Sequence, residues 1–128
     1  MGVNVKANTA IKALGEDPKH PGKVSVTTES GEKLYFDRII IAAGVSPNVE
    51  LAKTGGLELD EKLGGIAVNS ELAARSNIWA AGDVCSFHDV TLGRRRVEHY
   101  DHAVLSGMVA GENMTGASKT FKHQSMFW

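Results

Sequence analysis

The run Asp37-Arg38-Ile39-Ile40-Ile41-Ala42-Ala43-Gly44 constrains this chain more than any other stretch. Three successive isoleucines break the in–out alternation of a half-wet strand. A continuous β-branched run of this kind suits a strand covered on both faces. Strands of that type sit in parallel sheets flanked by helices, so the run predicts an α/β fold. A second apolar stretch, Asn77-Ile78-Trp79-Ala80-Ala81-Gly82-Asp83, predicts another strand that ends in Gly-Asp, with Trp79 in the core.

Around these two landmarks the punctuation is regular. Lys23 to Thr28 alternates, Glu29-Ser30-Gly31-Glu32 turns, and Lys33 to Phe36 returns, which is the pattern of a β-hairpin. Short strands are expected at Val3 to Lys6, Thr9 to Leu14 and Gly64 to Val68, with a breaker-rich loop from Gly15 to Gly22. Asn48 is the expected N-cap of a helix from Val49 to Thr54, which Gly55-Gly56 ends. The stretch after Asp83 reads as a loop that carries Arg94-Arg95-Arg96. A longer helix is expected from about Glu98 to Met114. Val104, Gly107, Met108 and Gly111 share one of its faces, and two glycines there predict close packing against a sheet or a flat ligand.

Composition narrows the function. The 128 residues are 42% hydrophobic and 23% charged, which suits a packed chain and excludes wholesale disorder. A formal net charge of −1 argues against a strongly basic nucleic-acid binder and leaves only a local patch open. The single cysteine, Cys85, excludes an internal disulfide, a CxxC redox pair and a Cys-rich zinc site, and it is expected to be a small buried residue. No apolar run approaches the roughly 20 residues that cross a bilayer. The start has neither the apolar core of a signal peptide nor the Ser or Thr of a myristoylation signal at Lys6. The chain opens like the middle of a fold and stops on Phe127-Trp128, so it is expected to be a segment of a longer protein or a shortened gene product. Glu98, His99, Asp101 and His102 invite a metal reading. Adjacent helical residues point apart and no third cluster joins them, so no metal site is expected.

The chemistry-bearing feature is the pair of strand ends, Gly44 and Gly82-Asp83. In open α/β sheets ligands lie beyond the carboxyl ends of strands. A glycine there lets backbone approach a ligand, and an aspartate offers two acceptor oxygens to sugar or polyol hydroxyls. A helix follows, and the positive end of its dipole can face electron-rich ligand atoms. Gly-Asp by itself is common turn chemistry. The order of both landmarks and the glycine-faced helix favours a dinucleotide whose polyol chain lies across a strand end.

That order, with Pro47 to Glu58, Ala74 to Trp79, Leu92 to His99, Gly111 to Gly116 and His123 to Trp128, resembles the flavin-dependent pyridine-nucleotide oxidoreductases. Within them it is similar to a mitochondrial, cell-death-associated branch. The resemblance covers essentially the whole chain but only part of such a protein. It implies a partial FAD/NAD(P)-binding, Rossmann-like fold built from two dinucleotide-binding domains. Residues 1–45 would end the NADH-binding domain, 46–125 would be the returning part of the FAD-binding domain, and 126–128 would begin a C-terminal domain.

The resemblance also implies roles. Asp83 would bind the ribityl hydroxyls of FAD. Glu98 and His99 would lie near the isoalloxazine and nicotinamide rings, with Tyr100 beside FAD where the family has a second histidine. Gly44 and Trp128 would contact the nicotinamide nucleotide of NADH. The implied reaction is hydride transfer from NADH to flavin. Arg94, Arg95 and Arg96 resemble the branch's proposed nuclear-localisation signal; as residues alone they read equally well as a loop pairing with local carboxylates. The branch further implies the mitochondrial intermembrane space, nuclear relocation, dimerisation of the full-length protein and DNA binding. No Gly-x-Gly-x-x-Gly loop occurs in the chain, so it is expected to bind FAD poorly alone. The alternative is a truncated, non-catalytic product that acts by protein or DNA interaction in cell-death signalling.

Overall fold

The computed structural model describes residues 2–125. It divides into two compact units, Met1–Ala43 and Gly44–Trp128. The first is a three-stranded antiparallel sheet of β1 (Ile11–Glu16), β2 (Val24–Thr28) and β3 (Lys33–Phe36), in that order. The expected hairpin is β2–β3, with Val24 opposite Phe36 and Val26 opposite Leu34. Alternation sets its register: Val26 and Thr28 point inward and are buried. Thr28 also closes the turn, because its Oγ1 accepts from the Glu32 N–H at 3.0 Å. The segment between β1 and β2 folds back until the His20 ring stacks on Tyr35, with centroids 3.9 Å apart. Val3 to Lys6 forms no strand, and β1 begins and ends two residues later than expected.

The isoleucine run departs from its reading. Residues 37–44 form no regular element, and Ile40 and Ile41 are 94% and 70% exposed. A central strand needs backbone neighbours on its edges and a layer on each face. None of the described strands pairs with this run, since β3 stops at Phe36.

In the second unit, α1 (Glu50–Thr54) starts one residue later than expected. Val49 therefore takes the N-cap position, without a side-chain bond, and Asn48 lies one residue too early to cap. Two short strands follow, β4 (Ile66–Ala67) and β5 (Ala73–Arg75). β6 (Ile78–Trp79) pairs with β5. The chain then makes a 3₁₀ turn at Gly82–Val84, so the expected strand 77–83 is only two residues long before Gly-Asp. The expected loop beyond it holds β7 (Cys85–Asp89) and β8 (Gly93–Arg95). β4 pairs with β7 in parallel and β7 with β8 antiparallel.

Helix α2 (Tyr100–Met114) closes the unit. Its buried residues are His102, Ser106, Ala110 and Asn113, the reverse of the expected face. Val104 and Met108 are exposed, and Gly107 and Gly111 face open space. Three of the four buried residues are polar, and they fit because each finds a use inside. Ser106 Oγ accepts from the Gly82 N–H at 2.9 Å. Asn113 Nδ2 donates to the carbonyls of Glu71 and Lys119 at 2.8 Å each, and its Oδ1 accepts from the Lys119 N–H. The His102 ring stacks on Phe87. The core is Val68, Leu72, Ala80, Cys85, Phe87, Val97, Ala110 and Phe121.

Candidate functional site

Gly82 and Asp83 stand where the 3₁₀ turn meets the early turns of α2. Gly82 has φ +71°, the left-handed region that glycine adopts freely. A Cβ there would sit 3.6 Å from Ala103 Cβ, so helix and turn approach closely. The Gly82 N–H is held by Ser106, and the Asp83 carbonyl accepts from Arg96 Nη1 at 3.0 Å. The main chain is thus pinned on both sides while the Asp83 side chain remains exposed.

Arg96 does more than hold that carbonyl. Its Nε donates to the Leu63 carbonyl at 3.1 Å, and its Nη2 pairs with Glu98. One guanidinium thereby fixes the Gly64-Gly65 loop, the Asp83 turn and the carboxylate of Glu98. His99 is the N-cap of α2: its Nδ1 accepts from the Asp101 N–H at 3.3 Å. Tyr100 opens the helix and is 82% exposed. Asp83, Glu98, His99 and Tyr100 therefore gather around the N-terminal end of α2. Gly44 is exposed with φ +83° in the segment before α1. Trp128 lies outside the described residues.

The arginine run is built into the fold rather than lying in a free loop. Arg94 donates to the Ser86 carbonyl at 2.6 Å and to the Val68 carbonyl at 3.2 Å, and Arg95 pairs with Asp89 at 3.2 Å. Asp89 is almost fully buried. Burial opposes its charge, but donors from Thr91, Gln124, Leu92 and Arg95 outweigh it and bring the carboxyl down to about 2. Sequence reasoning missed Arg96 as a bracket of the site. The available signal was its spacing to Glu98, two residues on at the helix entrance.

Cys85 is fully buried beside His102, with Sγ 3.7 Å from Nε2. Burial pushes its thiol up to about 12. A thiol-reactive disulfide reagent at pH about 8 is expected to label Cys85 only as fast as the protein unfolds, because thiolate is the attacking species. Rapid native-state labelling would contradict this placement.

Comparison with known proteins places this geometry. A model of the pyridine nucleotide-disulphide oxidoreductase family matches residues 1–107. A model described as apoptosis-inducing factor, mitochondrion-associated, C-term, matches residues 110–128. A putative mitochondrial apoptosis-inducing factor 1 of Drosophila melanogaster is 47% identical over 100% of this chain and 17% of its own length. The mitochondrial apoptosis-inducing factor 1 of Dictyostelium discoideum is 42% identical over 99% of this chain and 24% of its own length. The chain thus spans about a fifth of these curated relatives. Among solved structures, a NAD-dependent persulfide reductase from A. fulgidus matches with a TM-score of 0.78 and 30% identity, over 94% of this chain and 22% of that one. An FAD-dependent pyridine nucleotide-disulphide oxidoreductase from Desulfovibrio vulgaris matches with a TM-score of 0.73 and 33% identity, over 89% of this chain and 28% of that one. These two proteins are named as NAD-dependent and FAD-dependent, in line with the two cofactors that the resemblance implies. Since the first model alone covers most of its length, the chain belongs to the pyridine nucleotide-disulphide oxidoreductase family.

Proposed function

We propose that this chain is the part of an FAD-dependent NADH oxidoreductase that holds the flavin's polyol arm and borders the two reacting rings. The observation that carries the reading is Asp83, an exposed carboxylate on a main chain pinned by Ser106 and Arg96, beside the N-terminal end of a helix. The residues fit FAD. Asp83 offers acceptors to ribityl hydroxyls, the glycine before it lets the turn lie close to α2, and the helix end favours negative charge nearby. When bound, FAD supplies the hydride-accepting ring and NADH the hydride. The chain's own residues would place and polarise the rings: Arg96 orients Glu98, and His99 caps the helix that would border them. Gly44 and Trp128 are assigned to the nicotinamide nucleotide on the strength of the family alone.

The boundary after Ala43 supports the assignment of residues 1–45 to the end of the NADH-binding domain and of 46–125 to the FAD-binding domain. The match of residues 110–128 to the apoptosis-inducing factor C-terminal model supports a third domain, with a start earlier than the 126–128 expected. The two apoptosis-inducing factors are mitochondrial by name, which supports a mitochondrial setting; the intermembrane space is assigned on the family resemblance alone. The bonds of Arg94, Arg95 and Arg96 to carbonyls and carboxylates support a structural use of that run over a localisation signal.

The test is flavin absorbance. The full-length protein carrying this chain is expected to be yellow and to bleach with NADH, whereas the chain alone forms no stoichiometric flavin complex. Asp83→Ala in the full-length protein is expected to weaken FAD binding by about 1.5–3 kcal/mol, the range for a lost hydrogen bond to a charged group, with little change in folding stability. Retention of FAD at wild-type affinity would refute the assignment.

A further inference from the structure

We propose that residues 119–124 form an acid-sensitive strap, clasped over the neutral ring of His102 and released when that ring takes up a proton. The strap crosses the second unit and is tied at discrete points. Asn113 grips Lys119 through both main-chain groups. The Phe121 N–H donates to the Ser70 carbonyl at 2.8 Å, and the Phe121 side chain is 2% exposed. His123 pairs with Asp101 at 2.5 Å, and Gln124 Nε2 bonds both oxygens of Asp89 at 2.9 Å.

Beneath it lies His102, with no exposed surface. Its ring is stacked on Phe87 at 4.8 Å and met edge-on by Phe121 at 5.5 Å. Nε2 faces the weak acceptor Cys85 Sγ, and Nδ1 has no hydrogen-bond partner among the described residues. A ring between two aromatic side chains with one nitrogen unsatisfied suits the neutral imidazole and ill suits the cation. The groups facing it are Asp83 and the Gly82 carbonyl from the 3₁₀ turn, Arg95 from β8 and His123 from the strap, with Asp101 adjoining on α2. Burial dominates and lowers the ring's pKa, with His123 and Arg95 acting in the same direction and Gly82 and Asp83 opposing.

The sign follows from linkage. With the strap open the ring is wet and returns towards the ordinary value of about 6.5. Closure keeps it below that value. The closed form is therefore fully favoured above the ordinary value and weakens as pH falls beneath it. The Gln124 tie does not loosen in this window, because Asp89 stays ionised to about 2. The His102 variants that cannot titrate assign any loosening by mild acid to that ring, whatever the cofactor.

Amide hydrogen exchange on the full chain, corrected for intrinsic rates, tests the strap at pH about 7 and about 5. The expected result is a severalfold loss of protection at Phe121 at the lower pH, with Ala110 unchanged and with the same midpoint as the His102 Hε1 resonance. His102→Phe and His102→Gln, which cannot titrate, should abolish the pH dependence. Protection that is flat with pH in the wild type would overturn the strap. So would a drop that persists in a folded variant, a joint loss at Phe121 and Ala110, or a His102 midpoint away from that of Phe121.

Discussion

Gly65→Ala is expected to destabilise the protein by about 3 kcal/mol, more than any other single added methyl at its glycines. Gly65 has φ +83°, where an alanine costs about 1–2 kcal/mol. The added Cβ would also lie 2.6 Å from the Val84 carbonyl oxygen and 3.0 Å from Arg96 Cδ. The Val84 oxygen belongs to the main chain and cannot rotate away, so overpacking adds about 1–3 kcal/mol. The collision falls just before β4 and one residue after Asp83, where β4 enters its parallel pairing with β7. Gly64→Ala is the control. Its φ of +68° carries similar backbone strain, but its Cβ would meet only Pro47 side-chain atoms, at 3.3 Å and beyond. Urea midpoints should therefore separate the two variants, with Gly64→Ala costing about 1–2 kcal/mol. Equal midpoints would show that the turn moves freely and that Arg96 and Ser106 do not pin Asp83.

The sequence made the hairpin of the first unit legible, because Val24 and Val26 alternate with polar residues and Gly31 sits at the turn. The β7–β8 hairpin follows that period only in part: Cys85, Phe87 and Asp89 are buried and His88 is exposed, but Ser86 is buried as well, with its hydroxyl on Asp60. An aspartate in the third inward position concealed it, since a carboxylate reads as solvent-facing until its four donors are known. The face of α2 was misread for a related reason. His102, Ser106 and Asn113 are buried by virtue of specific partners that lie far away in sequence, such as Gly82 and Glu71. The isoleucine run fails as a prediction because a strand's existence depends on neighbours, and none of the described strands serves it. At the candidate site, the grouping of Asp83 with the entrance of α2 was readable from order alone. The role of Arg96 was legible only in its spacing to Glu98, because its other two partners, the Leu63 and Asp83 carbonyls, lie far away in sequence.

Asp89→Ala is expected to cost about 3 kcal/mol and to free the end of the strap. The side chain is 1% exposed and accepts from the Thr91 and Leu92 N–H groups at 2.8 and 3.0 Å, from Arg95 and from Gln124. Removing one partner of a buried, charged network leaves the rest unsatisfied, which costs about 3–5 kcal/mol when desolvation is complete. Arg95 is partly exposed and can turn to water, so the lower figure applies. The pH dependence has a defined sign. The folded carboxyl sits at about 2 against an ordinary 3.8, so its stabilisation is complete above the ordinary value and drains away as pH falls towards 2. Asp89→Asn removes that titration while keeping one acceptor oxygen. Urea unfolding of the wild type should lose stability between pH about 4 and about 2 more steeply than the asparagine variant does. This window lies well below that of His102, so the two titrations separate: mild acid opens the strap at Phe121, and only strong acid breaks its anchor at Gln124. Identical acid slopes in the two proteins would mean that Asp89 is not the group whose charge secures the β7–β8 hairpin.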